Sequence, residues 1–231
     1  MRIAILGAMA EEVEPLLKKL DKIVRVDYAD NTYYKAEYKG AELVIAYSKI
    51  GCAFSTLTAT VLIEHFECDT LLFSGVAGAI NTNLKIGDLI YANKLCKHDL
   101  DITAFGHPHG YVPEGKVFIY PNSELIEIAK NVAAKKGLTL QEGTIATGDQ
   151  FVDSRSKKEW IKEIFNADAL EMEGYSVALV CDALNIPFFI LRAISDSADS
   201  DASFDFDAFL DESAKVSADF ILEMVENLAD S

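Results

Sequence analysis

A chain of 231 residues, half of them apolar, is long enough to bury a large core, and without Pro/Ser-rich linkers or repeats it reads as one domain, residues 1–231. Its 37 Asp+Glu against 21 Lys+Arg give a formal charge of −16 with only four arginines, a surface that repels phosphate backbones and argues against nucleic-acid binding. The scattered Cys52, Cys68, Cys96 and Cys181 form no CxxC pair and stand near no histidine at ligand spacing, so neither a disulfide frame nor a zinc site is expected.

The opening MRIAILGAMAEEV lacks the basic and long apolar regions of a signal peptide, and no apolar run is long enough to span a bilayer, so a cytoplasmic protein with no membrane partner is expected. Residues 2–8 read as a buried strand bounded by Gly7, and Glu11 to Leu20 as a helix with Val13, Leu16, Leu17 and Leu20 on one face. Residues 33–38 and 42–47 form a hairpin around Lys39-Gly40. A helix over 53–65 precedes a strand over 70–74, which ends at Gly75-Val-Ala-Gly78, either a loop whose glycines let the backbone come close to a ligand or an ordinary strand-to-helix turn. Residues 87–98 are β-rich and 99–116 irregular; then come a helix over 123–136 and a strand near 140–147. A helix near 156–165, a strand near 168–171, a helix over 173–184 and a strand over 188–194 follow, and a long helix of about 207–228 closes the chain. Alternating strands and helices predict an α/β fold, a mixed central sheet covered by helices on both faces, with ligands at the strand ends.

Carboxylates stand at several of those ends: Glu11-Glu12 behind the first strand, Glu171 and Glu173 in LeuGluMetGlu, and Asp196 closing FFILRAISD. A carboxylate drawn into an apolar strand end must be paired, solvated or protonated, which is costly unless a site uses it. Acid/base chemistry is therefore expected. Other motifs fail: the loop after the first strand has only one of the GxGxxG glycines, and its acids would repel a pyrophosphate. An EF-hand starting at Asp199 would need glycine where Phe204 stands and glutamate where Leu210 stands. The remaining acids of 199–205 read as a solvated loop, and Phe151 and Phe206 as aromatics able to stack on a flat heterocycle.

The stretches IAILGAMAEEV, YSKIG, SGVAGAI, KIGDL, HDLDITAFG, ATGDQFV, ALEMEG, LRAISDSAD and FDAFL, in this order, are highly specific together. Through them the chain resembles the 5′-methylthioadenosine/S-adenosylhomocysteine nucleosidases of the nucleoside phosphorylase superfamily over essentially its whole length. The resemblance implies a three-layer αβα sandwich and hydrolysis of the N-glycosidic bond of adenine nucleosides: 5′-methylthioadenosine, S-adenosylhomocysteine, 5′-deoxyadenosine or 6-amino-6-deoxyfutalosine. No cofactor or metal is implied. It casts Asp196 as the acid that protonates purine N7, Glu12 as the base that activates water, and Glu173 as the holder of the ribose hydroxyls. Met172 would lie against the sugar; Arg192 and Ser195 would support the water and Asp196. Phe151 and Val152 would receive the adenine, and Met9, Ile50, Val76, Ala77, Gly78, Glu171 and Phe206 would complete the lining. In the resembled family a second subunit closes the 5′ pocket, which places Ile102, Phe105, His107 and Pro113 across a homodimer interface. Val76 stands where many members have serine, and His107 where tyrosine is frequent.

The chemistry suits these residues. Adenine leaves well only when a ring nitrogen is protonated, and the sugar left behind resembles an oxocarbenium ion, so one acid and one base are wanted on opposite sides. Asp196 must be protonated near neutral pH, well above the ordinary value of about 3.9, and Glu12 ionised with help from Arg192 or a helix N-terminus. The alternatives are a phosphorylase on the same fold, which would have to gather positive charge for a phosphate dianion, and a non-catalytic adenosine-binding protein, which would not need both carboxyls.

Overall fold

The computed structural model describes residues 1–196 and 202–229, with the backbone path alone over 202–208. Strands β1 (Arg2–Gly7), β2 (Val24–Tyr28), β3 (Asn31–Tyr38), β4 (Ala41–Tyr47), β5 (Thr70–Ala79), β6 (Leu89–Lys97), β7 (Phe118–Ile119), β8 (Leu140–Thr147), β9 (Ala169–Glu171) and β10 (Phe188–Asp196) join one mixed sheet. The helices are α1 (Ala10–Leu17), α2 (Cys52–Thr60), α3 (Ser123–Lys136), α4 (Arg155–Phe165), α5 (Gly174–Leu184) and α6 (Ala202–Ala229).

The sheet order is β10-β6-β8-β9-β5-β1-β4-β3-β2, with β7 on β6. A further β10–β5 pairing closes β5, β10, β6, β8 and β9 into a circuit, so half of the sheet curls into a small barrel while β1 to β4 stay open. Strands β1, β5 and β10 run parallel, which brings their C-terminal ends to one rim.

Alternation across β1 separates the two sides of the core. Ile3 and Ile5 pack with Val13 and Leu16 of α1, Val132 of α3 and Phe220 and Val225 of α6; Ala4 and Leu6 pack with Ala59 of α2 and Val177 and Cys181 of α5. That is the helix–sheet–helix layering expected. Ile161 and Phe165 of α4 join Val152, Ile80 and Leu170 in a smaller cluster under the barrel.

Four elements differ from the sequence reading. The 53–65 helix ends as α-helix at Thr60 and finishes in one wider π-type turn, Val61–His65. Strand β2, nearly all exposed, alternates as Val24-Arg-Val-Asp-Tyr28 but has no counterpart in the sequence reading, and the two-residue β7 is too short to carry a periodicity. Strand β5 does not stop at Ser74 but runs through Gly75-Val-Ala-Gly78 to Ala79. Those glycines are not a turn; they lie in a strand over which other side chains pass closely.

Candidate active site

The loops leaving β1, β5, β8, β9 and β10 surround a cleft of about 790 Å³, mouth included, a size suited to a small-molecule ligand. Of the residues expected around it, Met9, Glu12, Ile50, Val76, Ala77, Gly78, Phe151, Val152, Glu171, Met172, Glu173, Ser195 and Asp196 all line it. Ala8, Gln150 and Leu170 line it as well and were not singled out by the sequence. Glu12 and Asp196, 184 positions apart in sequence, thus share one cavity.

Glu12 lies in the first turn of α1, and its carboxylate folds back over the helix N-terminus. Oε2 accepts from the N–H groups of Ala8 at 2.6 Å and Met9 at 3.1 Å, and Oε1 from Val76 N–H at 3.1 Å. The main chain of Val76 therefore braces Glu12, whatever its side chain. Burial raises the Glu12 carboxyl above its ordinary range, against the pull of Arg192 and of these three N–H groups. This corrects the expectation that Arg192 and the helix N-terminus hold it down: a carboxylate only 5% exposed loses more in hydration than they return. A base whose pKa is raised is also the stronger acceptor of a proton from water.

Asp196 ends β10, 3% exposed. Ser195 Oγ donates to its Oδ1 at 2.9 Å, and Lys158 Nζ of α4 lies 3.6 Å from its Oδ2. Strand β5 makes room for both carboxyls. A Cβ on Gly78 would lie 2.7 Å from Asp196 Oδ2, and one on Gly75 would lie 2.8 Å from Glu12 Oε1.

Between them Glu171 acts as an anchor. Its Oε2 accepts from Arg192 Nη2 at 2.7 Å, Gly174 N–H at 2.7 Å and Glu173 N–H at 3.1 Å, and its Oε1 from Thr147 Oγ1 at 2.5 Å. Arg192 is 1% exposed, stacks its guanidinium 4.0 Å from the Phe73 ring centroid and does not line the cleft. The expectation that Arg192 touches the ligand and supports Asp196 is corrected: it stands behind the wall, paired with Glu171, and reaches the site as a charge near Glu12. Glu173 accepts from Gly51 N–H at 2.9 Å, and burial beside the charge of Glu171 pushes its carboxyl up to about 8.

Ile50 and Phe151, 53% and 55% exposed, sit at the mouth. The side chain of Phe206 lies outside the described residues. Ile102, Phe105, His107 and Pro113 do not line the cleft of the single chain; Phe105 is 80% exposed, and His107 packs on Tyr111. The sequence reading missed Lys158, although its spacing to Ile161 and Phe165 puts it on the buried stripe of α4.

Residues 2–226 match the Phosphorylase superfamily. The chain belongs to that superfamily. Within it, the chain is 58% identical over 228 residues to the aminodeoxyfutalosine nucleosidase of Campylobacter jejuni, covering 99% of this chain and all of the relative. It is 35% identical to a 5′-methylthioadenosine/S-adenosylhomocysteine nucleosidase of Haemophilus influenzae, covering 99% and 100% of the two chains. Among solved superfamily structures, the C. jejuni 5′-methylthioadenosine/S-adenosyl homocysteine nucleosidase superposes with a TM-score of 0.96 at 58% identity, covering 98% of this chain and 99% of that one. The futalosine hydrolase of Helicobacter pylori superposes with a TM-score of 0.96 at 46% identity, covering 98% of each. The three-layer, nucleoside-phosphorylase-like fold expected from the sequence is the fold of these proteins.

Proposed function

We propose that this chain is one nucleosidase domain that hydrolyses the N-glycosidic bond of adenine nucleosides, with Asp196 as acid and Glu12 as base. Asp196 gives its proton to purine N7, the C1′–N9 electron pair leaves with adenine, water adds hydroxide to C1′, and Glu12 takes the remaining proton. Glu173 receives the ribose hydroxyls, and Phe151 and Val152 the adenine. The substrates are 5′-methylthioadenosine, S-adenosylhomocysteine, 5′-deoxyadenosine and 6-amino-6-deoxyfutalosine; relatives are named for methylthioadenosine, S-adenosylhomocysteine and aminodeoxyfutalosine.

One observation carries the hydrolase over the phosphorylase: the described lining holds four carboxyls, Glu12, Glu171, Glu173 and Asp196, and no lysine or arginine. A phosphate dianion would find no cation in that lining and would meet the carboxylate of Glu12 at the attacking position, whereas water enters without that cost. The partner is a second copy of the chain. Helix α2 turns Phe54 and Leu57 outward, each 49% exposed, next to Ile50 at the cleft mouth, and Phe105 offers a further apolar contact. Nucleic acid is no partner of so acidic a chain, no helix among the described residues is long and apolar enough to cross a membrane, and the enzyme works in the cytoplasm.

The test follows adenine release from each nucleoside with and without phosphate. Release at a phosphate-independent rate, lost by orders of magnitude in Asp196→Asn and Glu12→Gln, is expected. A ribose-1-phosphate-type product, or near-normal turnover by either variant, would overturn the reading.

A further inference from the structure

Helix α4 buries a stripe of three residues, Lys158, Ile161 and Phe165, and the first of them is a lysine where an apolar side chain would complete the cluster beneath it. Lys158 is 4% exposed, and an ammonium taken that far from water needs a compensating charge. Lys158 is the fourth residue of α4, near the end where the helix dipole is positive, and Lys157 precedes it. The charge lies across the gap to β10, where Asp196 Oδ2 stands 3.6 Å from Nζ, with both side chains 5% exposed. On the acid's other sides, Ser195 Oγ donates to Oδ1, and Gly78 of β5 leaves the space that Oδ2 occupies. Among the described residues, the ionisable groups that line the cleft with Asp196 are Glu12 from α1, Glu171 from β9 and Glu173 at the head of α5, all carboxyls. Arg192 is committed to Glu171.

We propose that Lys158 is a positioning residue for the acid of this reaction: it fixes the Asp196 carboxyl from behind and stabilises the carboxylate left once the proton has passed to the purine. The proposal rests on the reading of Asp196 as the acid. It resolves a tension in the site. Four clustered carboxyls make each loss of a proton harder, so an acid there would stay neutral but give its proton up reluctantly. A cation placed behind Asp196, away from the cleft, favours the ionised product of proton transfer without offering a phosphate anything to bind. The lysine leaves with no proton and forms no bond; it acts only by its charge and its place.

The experiment compares Lys158→Met with the wild type in two readouts. The first is the pH dependence of kcat/KM for adenine release. The second is the titration of the Asp196 carboxyl in the substrate-free protein by 13C NMR, its resonance assigned by its loss in Asp196→Asn. Methionine suits the apolar stripe, so the variant is expected to fold; Lys158→Leu serves in its place if it does not. Removal of the cation should move the alkaline limb and the Asp196 titration upward together by about one pH unit or more, and lower the plateau kcat about tenfold. Lys158→Arg should keep both near the wild-type position. A loss of rate with limb and titration unmoved would assign Lys158 a purely structural role and overturn the proposal. A wild type that releases no adenine would overturn the nucleosidase reading itself, while the NMR titration would still report whether Lys158 acts on Asp196.

Discussion

Arg192 and Glu171 form a fully buried ion pair, Nη2 to Oε2 at 2.7 Å with side chains 1% and 3% exposed, that ties β10 to the end of β9 under the floor of the cleft. The pair costs desolvation on both sides, and its value lies in arrangement. Glu171 also gathers Thr147, Glu173 N–H and Gly174 N–H, so a single carboxylate fixes the start of α5 and thereby the position of Glu173. Removing one partner strands the other. Glu171→Ala should lose about 3–5 kcal/mol of unfolding free energy, and Arg192→Met added to it should recover part of that loss, because the unpaired buried charge has gone. Urea denaturation of the two single variants and the double variant measures the cycle. A loss below about 1 kcal/mol for Glu171→Ala would mean that water reaches Arg192 and the pair is not sealed.

The glycines of β5 set a second expectation. A methyl group at residue 78 would need the space of Asp196 Oδ2, and one at residue 75 the space of Glu12 Oε1. Neither glycine has a positive φ, so alanine is acceptable to the strand itself and the displaced carboxyl bears the effect. Gly78→Ala and Gly75→Ala should each lower kcat about a hundredfold or more, as a misplacement near 1 Å does, with little change in thermal midpoint. Steady-state kinetics beside a melting curve checks this, and near-normal kcat would show that the carboxyl can yield without loss of its role.

How far the sequence revealed this site depended on whether each signal was local. β1 and β10 were legible because parallel strands buried on both faces read as continuous apolar runs, and an acid at the end of such a run, as at Asp196, stands out. The SGVAGAI stretch was legible as a place of close approach at the cleft but not as strand, because glycines in sequence look like a loop or turn. Their reason is the approach of Glu12 from α1 and Asp196 from β10, which the pairing of β5 with both β1 and β10 brings together. The partner of Arg192 was hidden for the same cause: Glu171 lies 21 residues away, on a strand whose position depends on the β5–β9 and β8–β9 pairings. Lys158 was within reach, since its i, i+3, i+7 spacing with Ile161 and Phe165 marks the buried face, but a lysine among neighbouring lysines does not announce itself.

The proposed dimer has a concentration test. Leu57→Asp places a charge in the outward apolar face of α2, where burial against a second copy would leave it unpaired. Sedimentation should show a wild-type dimer at micromolar concentration and a monomeric variant with much reduced kcat/KM, since residues from the 102–113 loop would no longer close the neighbouring cleft. A wild type that sediments as a fully active monomer at nanomolar concentration would exclude the interface.

Glu173 gives the pH dependence of stability. Its carboxyl is pushed up to about 8 in the folded protein, from an ordinary value of 4.5, by burial first and by the charge of Glu171 second. Between those two values the native state keeps a proton that the unfolded chain has released. Stability therefore falls as pH rises through that window and levels off on either side, with a slope from this group of at most about 1.4 kcal/mol per pH unit. Glu12, raised in the same direction, adds to the fall. The substrate-free protein should be distinctly less stable at pH 8 than at pH 5, and Glu173→Gln, neutral throughout and still able to accept from Gly51 N–H, should flatten the slope. Urea unfolding at pH 5, 6, 7 and 8 reads both. Parallel slopes for variant and wild type would show that the Glu173 carboxyl is not held above its ordinary range in the substrate-free protein.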